Sequence, residues 1–366
     1  MSDTRDALRS ALAAAGAVMA DYHGVPIARH FGDPAAEYSA ATTKMAVFDR
    51  SHRTRLAVTG KAPGKMLSGV LTGSMPRPPR ELSPGVFGGA STYHAVLTPK
   101  GKMVSDLWAT LLGAEETAGY LLDVPVAGAT PLTSSFAKLL PPRFAAVTDV
   151  TDWTALITVA GPDAAAALAR LALGLRVEAS ELSAVIEGEW RSVGEPAYTV
   201  RVERITEVWP EAYSVVGPAG SVTAVWQHLV GAGARPAGHA VWTTLRVEAG
   251  RPVFGTDMDE DTIPIEAGID GRAIDHAKGC YTGQEVIVRI RDRGHVNRHL
   301  HKLELGEGPT PPSGADLLAA DGSAKVVGRV TSAVASPRHG GVVVLAYVAR
   351  GVERVVIGGR EVAVPA

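Results

Sequence analysis

The chain has 366 residues, 46% of them hydrophobic and 20% charged, with a net charge of -2. That balance suits a soluble protein of two or three packed units, and it gives the molecule no bulk attraction for nucleic acid or acidic membrane. A single cysteine, Cys280, excludes an internal disulfide and a self-contained four-cysteine zinc or iron–sulfur site, so any cluster chemistry requires a partner.

The stretch Ala11 to Ala20 is small and apolar. Asp3 and Asp6 precede it, however, and Arg5 and Arg9 interleave with Leu8 and Leu12 at helical spacing. An amphipathic helix capped by Ser2 or Asp3 is expected rather than a secretory leader. No apolar run approaches the ~20 residues of a membrane span, and a cytoplasmic protein is expected. In Phe48-Asp49-Arg50-Ser51-His52, the histidine is expected to be structural and hydrogen-bonded rather than catalytic.

A strand–Gly–helix unit then recurs. Leu56 to Gly60 leads into a helical stretch from Ala62 to Leu71, and Ile157 to Gly161 into one from Pro162 to Leu173, with Pro162 in its first turn. Tyr213 to Gly217 leads into a third, capped by Ser221 and reaching about Leu229. Such repetition implies α+β layers. No P-loop or dinucleotide fingerprint accompanies these turns, which argues against phosphate binding there.

Tyr93 to Leu107 reads as a hairpin turning at Pro99 to Lys102, with Ser105-Asp106 on its return strand. The segment 204–213 contributes Glu207 and Glu211. The densest chemistry lies in 244–298, which holds Arg246, the acidic Asp257, Asp259, Glu260 and Asp261, and the string Lys278-Gly279-Cys280-Tyr281-Thr282-Gly283-Gln284-Glu285. The acids lack EF-hand spacing. Gly279 and Gly283 let the backbone turn sharply beside the thiol, and Lys278 would favour the reactive thiolate. The competing reading of Cys280 is a small buried apolar residue. Arg289, Arg291, Arg293, Arg298 and Lys302, with His295, His299 and His301, form a basic run. It is weak as a metal site, stronger as an RNA patch, and ordinary as a solvated face. From His301 onward, short β runs (Val326 to Ser332, Val342 to Val348) and turns at Asp321-Gly322 and Gly340-Gly341 suggest a small barrel or sandwich.

Arg246-Val247-Glu248-Ala249-Gly250, Gly255-Thr256-Asp257 and Ile263-Pro264-Ile265-Glu266-Ala267-Gly268 resemble the glycine-cleavage T-protein (aminomethyltransferase) superfamily. Phe48 to His52 is similar to its entry region, and Gly328 to Pro337 to its C-terminal domain. The string Lys278 to Glu285 is similar to the YgfZ-type branch, folate-binding proteins that support iron–sulfur enzymes. The resemblance implies an α+β fold: T-protein-like folate-binding layers with antiparallel or mixed sheets over 1–298, in two subdomains, and a small C-terminal β-barrel over 299–366. It also implies a central cavity for tetrahydrofolate.

By the same resemblance, Glu211 (or alternatively Glu207) and Arg246 would orient the folate. Tyr93 and Gln284 are further candidate contacts, and Asp106 would line the cavity. Cys280, Lys278 and Asp106 are the candidate catalytic residues. Each has a plainer alternative: an ion pair for Arg246, a local cap for Asp106, an exposed loop for Glu211. Ser105-Asp106 replaces the family's two adjacent acids, and the 204–213 loop lacks the family's glycines, which puts aminomethyl transfer in doubt. The expected function is folate-binding support of iron–sulfur cluster assembly or repair, with iron–sulfur proteins or assembly factors as partners. The alternative is a tetrahydrofolate-dependent aminomethyltransferase or methyltransferase. A third reading, RNA binding through 289–302, is disfavoured by the overall charge.

Overall fold

A computed structural model describes residues 5–365. The expected cap at Ser2 or Asp3 lies outside them. The first helix is Arg5–Ala14, and its Leu8 and Leu12, one turn apart, are buried in the same core cluster as Trp226 of helix Ala219–Gly231. Truncating either leucine to alanine is worth about 2–5 kcal/mol.

Two sheets form the body. The larger has eight strands, in the order Arg235–Ala237, Ala46–Asp49, Thr154–Ala160, Ala212–Pro218, Arg201–Ile205, Glu189–Val193, Val86–Ala90 and Arg80–Ser83. All neighbours are antiparallel except the first pair, which makes the sheet mixed. The smaller, fully antiparallel sheet runs Ala146–Asp149, Thr54–Thr59, Tyr120–Val124, Met103–Leu111 and Thr92–Leu97.

The three strand–helix units exist, with two corrections. Pro162 lies in a turn before helix Ala164–Leu171, because Asp163 holds the N-cap position. Ser221 lies inside helix Ala219–Gly231, which starts directly after Pro218. The hairpin joins Thr92–Leu97 to Met103–Leu111, closed by Thr98 N–H donating to the Lys102 carbonyl at 2.8 Å.

From Arg298 onward six strands form a nearly closed barrel, its first strand Arg298–Gly306 approaching its last, Arg360–Ala363. The Gly/Pro-rich stretch after Gly306 joins two barrel strands. The fold class is therefore the expected one: α+β layers carrying a small C-terminal barrel. Among the described residues, no helix is long and apolar enough to cross a membrane.

Candidate functional site

The inner faces of the two sheets enclose a chamber. Side chains alternate along a strand, so every second residue shares a face. On the smaller sheet Asp106, Trp108 and Thr110 point one way; on the larger, Leu156 and Thr158, Ser214 and Val216, and Arg201 and Glu203 do so on three adjacent strands. Register puts Glu203 opposite Ser214, and Ser214 opposite Thr158. With Arg246 from helix His239–Glu248 and Arg272 from the short helix Asp270–Ala273, these faces line one chamber.

The lining includes six arginines and four carboxylates. Arg53 Nε donates to both Asp123 oxygens, at 2.9 and 2.8 Å. Asp106 is 7% exposed; its Oδ2 accepts a hydrogen bond from the Tyr93 hydroxyl at 2.6 Å, and its Oδ1 has no partner. Burial raises the Asp106 pKa, although Tyr93 and Arg53 act against the rise. Burial, and then the Asp106 charge, hold the Tyr93 hydroxyl well above the ordinary tyrosine range. The Arg272 guanidinium lies 4.9 Å from the centre of the Tyr93 ring and donates from Nε to Glu187 at 3.2 Å. Glu207 Oε1 accepts from the Trp108 indole at 3.1 Å, while its Oε2 is buried and unpartnered. Burial pushes Glu203 up to about 8.

A smaller hollow shares Arg50, Arg53, Trp242 and Arg246 with the chamber and adds Tyr22, His52 and His239. Arg50 sits 3.7 Å from the centre of the Trp242 ring, its pKa lowered by burial to about 9. His52 packs edge-on against Tyr22 and His239 at 5.5 and 5.6 Å. Its Nδ1 has no partner, so ring packing rather than the expected hydrogen bonding fixes it. Burial lowers both histidines, His239 to about 3.

Tyr93 and Asp106 thus meet in the chamber wall. Arg246 also lines it, but its guanidinium is bound to Asp257 at 2.7 Å and to Ser332 Oγ at 2.8 Å, the ion-pair alternative. Glu211 lies elsewhere: it pairs with Arg204 at 2.7 Å and accepts from the Tyr213 hydroxyl. The reason is parity, because Ser214 and Val216 face inward and the odd-numbered 211 and 213 face the other way. Glu207, in the loop just beyond strand Arg201–Ile205, is the one of these two glutamates that lines the chamber.

Lys278, Cys280 and Gln284 lie outside it. The Lys278 ammonium donates to the carbonyls of Leu71 and Gly73, at 2.7 and 2.9 Å, and makes no hydrogen bond to the thiol it was expected to activate. Cys280 is exposed, contrary to the buried-apolar reading. Gln284 opens helix Gln284–Arg293 and is half-buried. Of the two flanking glycines only Gly283 is required, with φ +84° and the Thr98 carbonyl oxygen 2.6 Å from where a Cβ would stand. The loop from Asp275 to Thr282 is strapped to residues 69–73, with Thr282 N–H donating to Gly69 O at 3.1 Å. Asp275, the first residue of this strap, borders an open groove that shares Tyr93, Trp108 and Arg272 with the chamber.

The basic run divides between a helix and a barrel strand, and Arg298 is engaged by Glu266 at 3.1 Å. Arg201, Glu203, Trp108 and Arg272 were not singled out from sequence. For Arg201 and Glu203 a signal was available, two charged residues flanking Val202 on a largely buried strand.

The GCVT N-terminal domain family matches residues 8–278, and the glycine cleavage T-protein C-terminal barrel domain family matches residues 298–366. The chain belongs to the glycine-cleavage T-protein family. An aminomethyltransferase of Rubrobacter xylanophilus is 30% identical over 349 residues, covering 95% of this chain and 87% of that protein. Aminomethyltransferases of Thermosynechococcus vestitus and Streptomyces coelicolor are each 29% identical, covering 90% and 94% of this chain and 82% and 89% of their own. The crystal structure of glycine cleavage system aminomethyltransferase T from Bartonella henselae superposes with a TM-score of 0.79 at 21% identity, over 98% of this chain and 95% of that one. That likeness bears on the T-protein fold alone. Most of the Cys280 string lies between the two matched spans.

Proposed function

We propose that this chain is a cytoplasmic T-protein relative that binds a reduced folate in the central chamber and transfers a one-carbon unit, as its aminomethyltransferase relatives are named to do. The observation that carries this reading is the pair of buried carboxylate oxygens without partners, Asp106 Oδ1 and Glu207 Oε2, in one chamber between the two sheets. A pterin edge offers adjacent N–H groups that would satisfy them, and Trp108 and Tyr93 supply aromatic surface beside it. A bound tetrahydrofolate supplies the nitrogens that accept or release the one-carbon unit.

The chain's own residues do the rest. Tyr93 fixes Asp106 through Oδ2 and leaves Oδ1 to hold or give a proton beside the ligand, the raised pKa bringing that exchange nearer neutrality. Arg272, anchored by Glu187, keeps Tyr93 in place from one face. Calorimetric titration with tetrahydrofolate, followed by turnover with an aminomethyl-lipoyl carrier, tests the reading. Absence of folate binding by the parent protein sinks it, and binding that is unchanged in Glu207→Gln and Asp106→Asn removes its basis.

A second reading, YgfZ-type support of iron–sulfur enzymes, is favoured by the exposure of Cys280 on the strap that begins beside the groove next to the chamber. A thiol there is open to a partner's cluster or redox group, and folate occupancy would be sensed through the strap. Folate binding without turnover, together with loss of iron–sulfur enzyme activity in cells carrying Cys280→Ala at unchanged folate affinity, selects this reading. Turnover with the lipoyl substrate selects the first.

A further inference from the structure

We infer that the chamber wall at Arg201 is a carboxylate-binding subsite anchored by that guanidinium. Arg201 is 2% exposed, on strand Arg201–Ile205. Its Nη1 donates to the Pro196 carbonyl at 2.9 Å, which fixes the guanidinium plane. Its Nε and Nη2 have no partner. Those two atoms form one edge of the guanidinium, with parallel N–H groups at the spacing of the two oxygens of a carboxylate.

Among the described residues, no carboxylate hydrogen-bonds to that edge. Asp123 is held by Arg53 at 2.8 Å. Glu203 is two residues along on the same face, but it accepts from Ser91 Oγ at 2.8 Å and is carried largely uncharged at neutral pH. Burial lowers Arg201 only to about 10, so it remains a cation there. A buried cation lacking a counter-charge is unfavourable, and an anionic ligand removes the cost.

The surroundings choose the class of anion. Leu121, Leu156 and Val216 form a small apolar cluster on this part of the wall, beside the hydroxyls of Thr158 and Ser214. A phosphate would leave charged oxygens against hydrocarbon, whereas a planar carboxylate spends both oxygens on Arg201 and lays an aliphatic body on the leucines. The ligand is thus a small aliphatic acid or the carboxylate end of a larger molecule, including a folate's own glutamyl group.

The subsite shares the chamber proposed above for folate, but its test does not depend on folate binding. The parent protein is titrated with propionate and with the neutral propionamide, followed by thermal shift and by the Arg201 Nε–H resonance, assigned by its loss in Arg201→Lys. Propionate is expected to stabilise the protein and move that resonance, with propionamide doing neither. Arg201→Lys keeps the charge without the paired edge and should bind propionate about tenfold more weakly or worse. Equal effects of propionate and propionamide, an unmoved Arg201 resonance, or unweakened binding by Arg201→Lys would each overturn the inference. If Arg201→Lys does not fold, Arg201→Gln identifies the resonance and the two parent titrations decide. Competition of propionate with tetrahydrofolate but not with tetrahydropterin assigns the subsite to the glutamyl carboxylate, and binding alongside both assigns it to a separate acid. Propionate binding by a protein that takes no folate would refute the folate reading and leave the subsite standing.

Discussion

Arg246 and Asp257 meet at 2.7 Å with almost no solvent contact on either side chain. Asp257 also accepts from Val253 N–H at 3.1 Å and from the Thr331 and Ser332 hydroxyls, each at 2.6 Å. The pair therefore ties helix His239–Glu248 to barrel strand Val326–Ser336 behind the chamber wall. Removing one member leaves a buried, uncompensated charge. Arg246→Met is expected to lower stability by about 3–5 kcal/mol, read from urea unfolding. A loss under about 1 kcal/mol would mean that water reaches Asp257 and that the pair does not hold the barrel.

Asp106→Asn keeps size and hydrogen bonding but removes the titrating oxygen. If Asp106 moves a proton, kcat with the lipoyl substrate should fall about 10²–10⁴-fold, in addition to the weakened folate binding. Tyr93→Phe leaves Asp106 Oδ2 without its donor and should shift the acidic limb of the pH–rate profile upward, since that hydrogen bond lowers the Asp106 pKa. An unshifted limb would exclude Asp106 as the titrating group.

Glu203 sets a pH dependence of stability. Its folded pKa is raised to about 8 from near 4.5, so the folded state holds the proton more tightly. The stabilising contribution is complete below about 4.5, declines at up to roughly 1.4 kcal/mol per pH unit, and is gone above about 8. Glu203→Gln, which cannot ionise, should be more stable than the parent at pH 8, with the advantage shrinking towards pH 5. Parallel curves for parent and variant across that range would show that Glu203 ionises normally.

Cys280 and Gly283, three residues apart, should respond oppositely. Cys280 is exposed, so Cys280→Ser should change stability by no more than about 0.5 kcal/mol. Gly283 combines a positive φ with the close Thr98 carbonyl, so Gly283→Ala should cost about 1–3 kcal/mol. Thermal unfolding of the two variants checks both, and equal melting temperatures would contradict the strap geometry.

Local patterning was enough for the elements. Leu8 and Leu12 one turn apart, the Pro99 to Lys102 turn and the short barrel strands between turn signals each express a preference of neighbouring residues, and the structure keeps them. Family motifs also pointed to Tyr93 and Asp106, because a strand carries its inward residues wherever it packs. Which of the two glutamates faces the chamber was decided by the fold of the loop between two strands: Glu207 lines the chamber, while Glu211 shares its face with Tyr213. The partners of Arg246 and Lys278 were not legible at all. Asp257, Ser332 and the Leu71 and Gly73 carbonyls reach them only when distant segments pack, and a long cationic side chain binds whichever acceptor tertiary contact brings within 3 Å. The unpaired edge of Arg201 is of the same kind, since a missing partner is a property of the packed interior and leaves no mark on the strand that carries it.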